Sequence, residues 1–234
     1  MRKRLVPVAA AVVLLAALAL APARPAGATT TSVANETQYR NALNTLSGDG
    51  SGPHTVTLTA DIVLSGGTDP TYIGTQPLTL DGDGHSIDAN GTSRVLASTN
   101  LGSVTVRDLE VRDGATTSSL GGGGVYSQFG LSVYDSEFTG NQAPMGGAVA
   151  AHMTAIAGSV FRDNEATSGG GGAQGSQSVT VDTSSFVDNL AGTNGGGITG
   201  GDLWITNSTF TGNTAGGGSG GGIYAGKSVR LEHA

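Results

Sequence analysis

Residues 208–225 read STFTGNTAGGGSGGGIYA: a phenylalanine, an asparagine three residues later, an alanine, and then mostly glycine. Three earlier segments repeat this order, and they are SEFTGNQAPMGGAVA (136–150), SVFRDNEATSGGGGAQ (159–174) and SSFVDNLAGTNGGGITG (184–200). The anchor phenylalanines are Phe138, Phe161, Phe186 and Phe210, which are 23, 25 and 24 residues apart. A flexible linker has no reason to keep such a register, whereas stacked structural units must bury the same face each time. The segment therefore predicts a repeat architecture.

Other positions keep the same distance from each anchor phenylalanine. They are serine two residues before (Ser136, Ser159, Ser184, Ser208), asparagine three after (Asn141, Asn164, Asn189, Asn213) and alanine five after (Ala143, Ala166, Ala191, Ala215). Alternation of period two, as in Val179-x-Val181 and Ser184-x-Phe186, predicts short strands. The glycine runs would destabilise a helix by about 1 kcal/mol per residue, and they suit turns and close backbone contacts.

Three short strands in a unit of about 24 residues predict an all-β, right-handed parallel β-helix with coils about 4.8 Å apart. The anchor rings are then expected to stack inside the helix, offset from one another. Each asparagine is expected at a corner, in the left-handed region, bonded to its copy in the next coil. Weaker copies upstream, marked by Val111, Ile87 and residues 62–64, bring the total to about seven coils at the ordinary strand spacing.

Residues 1–28 are predicted to be a secretory signal peptide, because basic MRKR precedes an apolar run from Leu5 to Ala21 and the small-x-small site Ala26-Gly27-Ala28. Residues 29–53 are predicted to form an N-terminal cap with a short helix, for which Asn35 is the N-cap and Gln38 completes a capping box. The β-helix then covers residues 54–234. Since the next anchor would fall at position 236, we expect the natural protein to continue beyond Ala234.

Two other repeat architectures and a disordered glycine-rich chain were considered. A leucine-rich repeat has a similar period, but leucine is missing from its key positions. A calcium-binding β-roll needs GGxGxD every nine residues, and the required aspartate follows none of these glycine runs. The constant register argues against disorder, which leaves the β-helix as the predicted fold.

The motif Phe-x-x-Asn followed by Gly-Gly-Ala-aliphatic resembles the repeat of the polymorphic outer-membrane protein family. It is carried by FTGN 138–141 with GGAV 146–149, FRDN 161–164 with GGAQ 171–174, FVDN 186–189 with GGGI 195–198, and FTGN 210–213 with GGGI 220–223. The resemblance covers about residues 110–225. Residues 77–91, PLTLDGDGHSIDANG, are similar to the opening coil of secreted bacterial β-helix proteins of the pectin-lyase-like class. These resemblances imply an exported, surface-displayed protein, as in family members that are adhesins.

Charge and cysteine content exclude several classes of partner and site. Removing Arg2, Lys3, Arg4 and Arg24 with the signal peptide leaves 7 of the 11 basic side chains against 18 acidic ones, a net charge of −11. This balance argues against nucleic acid and anionic membrane surfaces as partners. The chain has no cysteine, which excludes disulfides and thiolate metal sites. No segment after the signal peptide is apolar enough to predict a membrane span.

Two acidic segments are candidate sites. Residues 81–91, DGDGHSIDANG, suggest a calcium loop, but neither EF-hand frame places all its ligands, so a turn between two strands is the alternative. Asp163 and Asp188 both lie two residues after an anchor, so they should be about 5 Å apart in adjacent coils, as in a retaining glycosidase or a calcium-dependent lyase. Asp113 holds the same position, Gly140 and Gly212 interrupt it, and Arg162 is a neighbouring base or clamp. The alternative is a set of solvated turn charges.

The remaining candidate residues are histidines and aromatic side chains. His54, His85, His152 and His233 lack metal-ligand spacing and are expected at the surface or in turns. Tyr126, Tyr134, Trp204 and Tyr224 would line a sugar-binding face or would be separate half-packed aromatics. We therefore assign no catalytic residue, no metal ligand and no cofactor, and the ligand-binding residues stay unidentified.

The sequence favours a secreted or cell-surface β-helix that acts as a display or adhesion scaffold, with no catalysis of its own. Its expected partners are extracellular glycans or host and matrix surface proteins. One alternative is a polysaccharide lyase or glycoside hydrolase acting on cell-wall or extracellular glycans. The other is a purely structural spacer.

Overall fold

The computed structural model describes residues 27–232, and they form a parallel β-solenoid of about eight turns with one short helix. The predicted signal peptide lies outside the described residues apart from Gly27 and Ala28, and so do His233 and Ala234. In chain order the elements are β1 (Thr29–Val33), α1 (Glu36–Ser47), β2 (His54–Leu58), β3 (Ile62–Val63), β4 (Thr71–Tyr72), β5 (Leu78–Asp81), β6 (Ser86–Asp88), β7 (Leu96–Ser98), β8 (Val104–Arg107), β9 (Glu110–Arg112), β10 (Val125–Tyr134), β11 (Glu137–Thr139), β12 (Gln142–Ala143), β13 (Val149–Ala157), β14 (Val160–Arg162), β15 (Glu165–Ala166), β16 (Ala173–Asp182), β17 (Ser185–Val187), β18 (Leu190–Ala191), β19 (Ile198–Thr206), β20 (Thr209–Thr211), β21 (Thr214–Ala215) and β22 (Ile223–Glu232).

The strands form three parallel sheets that run the length of the solenoid. The long sheet follows the path β1-β2-β5-β8-β10-β13-β16-β19-β22 and also contains β4 and β7. The middle sheet is β20-β17-β14-β11-β9-β6-β3, and the short sheet is β12-β15-β18-β21. The predicted parallel β-helix with three strands per coil is confirmed. The solenoid has one more coil than the sequence predicted. The additional strand is β1, which lies in the segment assigned to the cap and pairs with β2.

The strands of one coil are unequal in length, which the sequence did not indicate. We expected the strand after each glycine run and the alternating segment that follows it to be separate. In the last coils they form one strand of nine or ten residues, such as β16, broken by an irregularity in register between Gly175 and Ser178. Such a bulge turns the strand without ending its hydrogen-bonded ladder, so a single strand passes through what the sequence suggests are two.

The anchor phenylalanines pair with one another across β11, β14, β17 and β20 and stack inside the solenoid. Their ring centroids are 4.9, 4.8 and 4.8 Å apart, with planes within 8° of parallel. Phe138, Phe161 and Phe186 are completely buried. Upstream the same column continues through Val111, Ile87 and Ile62, as the register predicted. The rings therefore follow the spacing of the strands that carry them.

A ladder of asparagine side chains runs beside the ring stack. Asn164 Nδ2 donates to Asn189 Oδ1 at 2.9 Å and to the carbonyl of Phe138 at 2.9 Å, while Asn164 Oδ1 accepts from both nitrogens of Asn141. Each buried amide is thereby fully used, which removes the cost of burying it. The predicted bond to the next copy is confirmed. The predicted left-handed conformation of the asparagine is wrong, because the residue before it, such as Asp163 (φ 54°) or Gly140 (φ 67°), adopts it.

The glycine runs allow the coils to approach closely. Gly146 and its equivalents Gly170, Gly195 and Gly220 have φ between 55° and 71°, a region that favours glycine. A Cβ on the following glycine of the second repeat, Gly171, would collide with the carbonyl oxygen of Gly196 and would lie 2.6 Å from that of Leu190. Both obstacles are backbone atoms of the next coil, so a side chain at this position would force the coils apart.

The predicted helix is present, with Asn35 as its N-cap. The backbone N–H of Gln38 donates to Asn35 Oδ1 at 3.0 Å, as predicted, but Gln38 Oε1 accepts from the backbone N–H of Ala34 at 2.8 Å, one residue before the position that a capping box uses. Tyr39, Ala42, Leu43 and Leu46 are its buried residues, and the helix packs on β1, β2 and β4. It therefore covers the apolar interior at the first coil.

Replacing Phe186 by alanine should lower the free energy of unfolding by about 3–5 kcal/mol, because it removes a completely buried ring from the middle of the stack. Trp204→Ala is the matched control, since this aromatic side chain is 45% exposed on the next coil. Denaturant unfolding would measure both. Equal stability of the two variants would show that the anchor rings do not hold the core together.

Gly171→Ala should destabilise the protein by about 1–3 kcal/mol, the usual cost of overpacking a rigid site. Gly50→Ala is the control, because a Cβ at Gly50 meets no atom within 4 Å. Thermal unfolding followed by circular dichroism would compare them. A wild-type melting temperature for Gly171→Ala would contradict the close approach of the coils.

Candidate functional site

Asp163 and Asp188 occupy the same corner of two successive coils, directly after β14 and β17. Both are exposed, with φ of 54° and 53°. The corner requires a left-handed residue, which aspartate tolerates better than most other side chains. Within residues 27–232 neither carboxylate has a side-chain hydrogen bond or an ion pair, and Arg162 has no ion-pair partner. The structure therefore places the predicted pair together and gives each member a conformational role, without further groups around it.

The DGDGHSIDANG segment forms a turn between β5 and β6, where His85 donates its backbone N–H to the carbonyl of Gly82 at 2.9 Å. Asp81 accepts a hydrogen bond from Arg107 at 2.6 Å, and Asp88 accepts one from Arg112 at 3.2 Å. Ile87 is completely buried. Arginines of the next coil thus engage two of the three carboxylates of the candidate calcium loop, all but that of Asp83. No group of three or more potential metal ligands comes together anywhere in residues 27–232.

The histidines are dispersed, and one of them corrects a prediction. His54 was expected at the surface, but it is only 1% exposed. It occupies an inward position of β2, where its Nε2 donates to the carbonyl of Asp49 at 2.9 Å and its ring makes an edge contact with Tyr72. His85 contacts Asp61, and His152 Nδ1 lies 2.9 Å from Ser176 Oγ.

The four candidate aromatic residues do not form one face. Tyr126 and Tyr224 belong to one outward column but are separated by Ala150, Gln174 and Thr199. Tyr134 and Trp204 lie in two other columns of the long sheet. Tyr126 lies under Arg94, whose Cζ is 5.7 Å from the ring centroid. Burial raises the pKa of the Tyr126 hydroxyl.

Arg94 is a buried charge that sequence reasoning missed. It is 4% exposed and pairs with Asp69 at 2.5 Å. Its guanidinium also donates to the carbonyl oxygens of Gly121 and Gly122 at 2.8–3.0 Å. These bonds join the connections that contain Asp69, Arg94 and Gly121. The guanidinium is therefore occupied by protein groups and is not free for a ligand.

An acidic groove lies at the corner between the long and middle sheets. It has a volume of about 620 Å³, and its acidic lining residues are Asp83, Asp108, Glu110, Asp135 and Glu137. The three aspartates have φ of 47–49°, so this corner also requires left-handed residues. Asp108 and Asp135 lie three residues before Val111 and Phe138 of the anchor column. The sequence prediction considered only the aspartates that follow each anchor and therefore missed this corner.

Glu110 and Glu137 bring like charges side by side in the acidic groove. They are directly paired residues of β9 and β11, and their backbones are separated by the ordinary strand spacing of about 4.8 Å. Arg112 offsets one of them, with Nη1 3.4 Å from Glu110 Oε1. The groove therefore offers a field that attracts cations.

Comparison with known proteins supports the predicted resemblance at the last anchor. Residues 207–226 match the family model of the Chlamydia polymorphic membrane protein repeat. No curated protein and no solved structure is significantly similar to the chain. In residues 27–232, no helix combines the length and the apolar character needed to cross a membrane.

Glu137→Gln should stabilise the protein by about 0.2–1 kcal/mol, because it removes a like-charge pair of directly opposite residues. The gain should shrink at high ionic strength, where surface charges are screened. Glu165→Gln is the control, since Glu165 is paired with Gln142 and Leu190. Unfolding at low and high salt would measure the difference, and a stability loss in Glu137→Gln would show that the groove is not electrostatically strained.

Proposed function

We propose that this chain is an exported, surface-associated β-solenoid that displays a binding surface to extracellular partners and has no catalysis of its own. The observation that carries the proposal is the contrast between inward and outward columns. Inside, the anchor column reads Phe138, Phe161, Phe186 and Phe210. Outside, one column of the long sheet reads Ser132, Ala155, Thr180, Trp204 and Arg230. The fold therefore constrains the interior and leaves the outer surface free to vary.

Two further observations support export and surface location. The N-terminal sequence has the order of a secretory signal peptide, and the matched repeat is that of membrane proteins associated with the cell surface. The expected partners are extracellular glycans or surface proteins of a host or matrix. A stiff rod with a variable outer surface presents such partners with many side chains in fixed positions.

The second candidate function is depolymerisation of a cell-wall or extracellular glycan. It is favoured by the acidic groove, where Glu110 and Glu137 lie in register. It is also favoured by Asp163 and Asp188, which lie at the corner between the middle and short sheets. A retaining glycosidase needs two carboxyl groups at such a separation, one as the acid and one as the nucleophile. Both pairs lack the additional positioned groups that a catalytic site needs.

A binding array and a turnover assay would separate these functions. The purified chain should bind members of a glycan and matrix-protein array and should release no product from acidic or neutral polysaccharides, with or without calcium. Turnover that disappears in Glu110→Gln, Glu137→Gln, Asp163→Ala or Asp188→Ala would establish the enzyme instead. An array without binding, together with no turnover, would support a purely structural spacer.

A further inference from the structure

An exposed apolar row crosses four successive coils between the two halves of the long sheet. We define the apolar row as Ile73, Leu101, Phe129 and Met153, which are 57%, 65%, 42% and 37% exposed. In each coil the residue lies in the connection between two inward columns, for example between the buried Ser98 and Val104. Large apolar side chains that recur at one place on the surface are typical of a contact site, whereas isolated ones need no explanation.

The segments that carry the apolar row are neighbours in successive coils, because the strands on both sides of them are paired. Asn100 Nδ2 donates to the carbonyl of Ile73 at 2.8 Å, which joins the first two connections. The Phe129 ring lies 6.5 Å from the ring of His152, the residue before Met153. The register between β10 and β13 is irregular here, between Ser127 and Gly130, so the chain bulges outward and presents the side chain of Phe129 to solvent.

A second row, of hydroxyl groups, runs parallel to the apolar row. We define the hydroxyl row as Thr79, Thr105 and Ser132, which pair with one another across β5, β8 and β10. Each is half-buried between two buried neighbours, so it faces outward. Within residues 27–232 none of the three hydroxyl groups has a side-chain hydrogen bond to the protein. Three successive coils thus present one apolar side chain and one free hydroxyl group each.

The surface that carries both rows is uncharged, although the mature chain has a net charge of −11. Residues 73–79, 99–105 and 128–132 contain no Asp, Glu, Lys or Arg. Apart from serine and threonine, the polar side chains of these segments are the amides of Gln76, Asn100 and Gln128. A surface of this kind gives no charge complementarity to an ionic partner, and it offers hydrogen bonds together with apolar contact.

We propose that the apolar row and the hydroxyl row form the binding surface for a linear, neutral polysaccharide that runs along the solenoid axis. The inference rests on the proposed display function and names its surface and its class of ligand. Each sugar ring would pack its C–H face on an apolar side chain and bond its hydroxyl groups to the hydroxyl row and to the exposed amide of Gln128. The hydrophobic contact supplies affinity, and the hydrogen bonds fix the orientation.

The spacing of the rows argues against an extended peptide. Both rows repeat once per coil, at about 4.8 Å, whereas side chains on one face of a β-strand recur at about 6.6–6.8 Å. A peptide along the axis would therefore fall out of step within two coils. An anionic glycan would in addition approach a protein of strongly negative net charge.

Affinity electrophoresis tests the proposal, because a gel that contains polysaccharide retards a protein that binds it even weakly. The probes are a neutral β-glucan and a neutral galactomannan, with polygalacturonate as the anionic counterpart. We expect retardation by a neutral probe and none by polygalacturonate. Leu101→Asn and Phe129→Ala should each weaken binding about tenfold or more, as expected for the loss of a large apolar contact. Leu190→Asn is the matched control, since Leu190 is 41% exposed on the short sheet.

Each outcome has a distinct meaning. Retardation that falls in the two row variants and persists in the control supports the proposal, provided that all variants melt like the wild type. No retardation by a neutral probe, or retardation that the row variants leave unchanged, overturns it. Binding on the array that survives Leu101→Asn and Phe129→Ala would overturn this surface and leave the display function standing. A chain that binds neither the array nor any probe would overturn both.

Discussion

The separation of hydrogen-bonded parallel strands, about 4.8 Å, sets the geometry of the whole solenoid. The anchor rings stack at 4.8–4.9 Å because the strands that carry them are held at this distance. The same distance lets each asparagine amide reach its copy in the next coil, as between Asn164 and Asn189. It also leaves no room for a side chain at Gly171, where the carbonyl oxygen of Gly196 lies in the place that a Cβ would take. The distance between neighbouring strands therefore determines the stacked core, the asparagine ladder and the glycine content.

The inward columns could be predicted from the sequence because they repeat in the sequence. Every coil must fill the same interior volume next to the same neighbour, so Phe138 and Asn141 recur with little change over four units. The position of the left-handed residue in each corner could not be predicted. Asparagine tolerates this conformation, and so do the aspartate or glycine that precede it. His54 was misplaced because an inward histidine has no repeated partner that would mark its column.

The outward surface was poorly predicted for the opposite reason. Glu110 and Glu137 both directly precede an anchor and meet across coils, but the same position holds Val160, Ser185 and Thr209 in the later coils, so no acidic column repeats. Insertions change the length of the connection in each coil, so the alignment of Leu101 with Phe129 appears only when the strands on both sides are paired. Charge is also unevenly distributed, because carboxylates gather at the acidic groove whereas the surface of the apolar row has none. The corner requires left-handed residues, which favours aspartate, and the surface of the apolar row has no such requirement.

The asparagine ladder has a direction, since the Nδ2 groups of Asn141, Asn164 and Asn189 each donate to the Oδ1 of the asparagine in the following coil. Each rung is therefore the unit cell of a one-dimensional lattice, with the same contacts above and below. Inserting one more 24-residue unit between Asn164 and Asn189 would give every amide a partner identical to the one it has now. The length of the rod is thus a quantity that gene duplication can change without redesigning a core, and the surface it carries grows one strand spacing at a time.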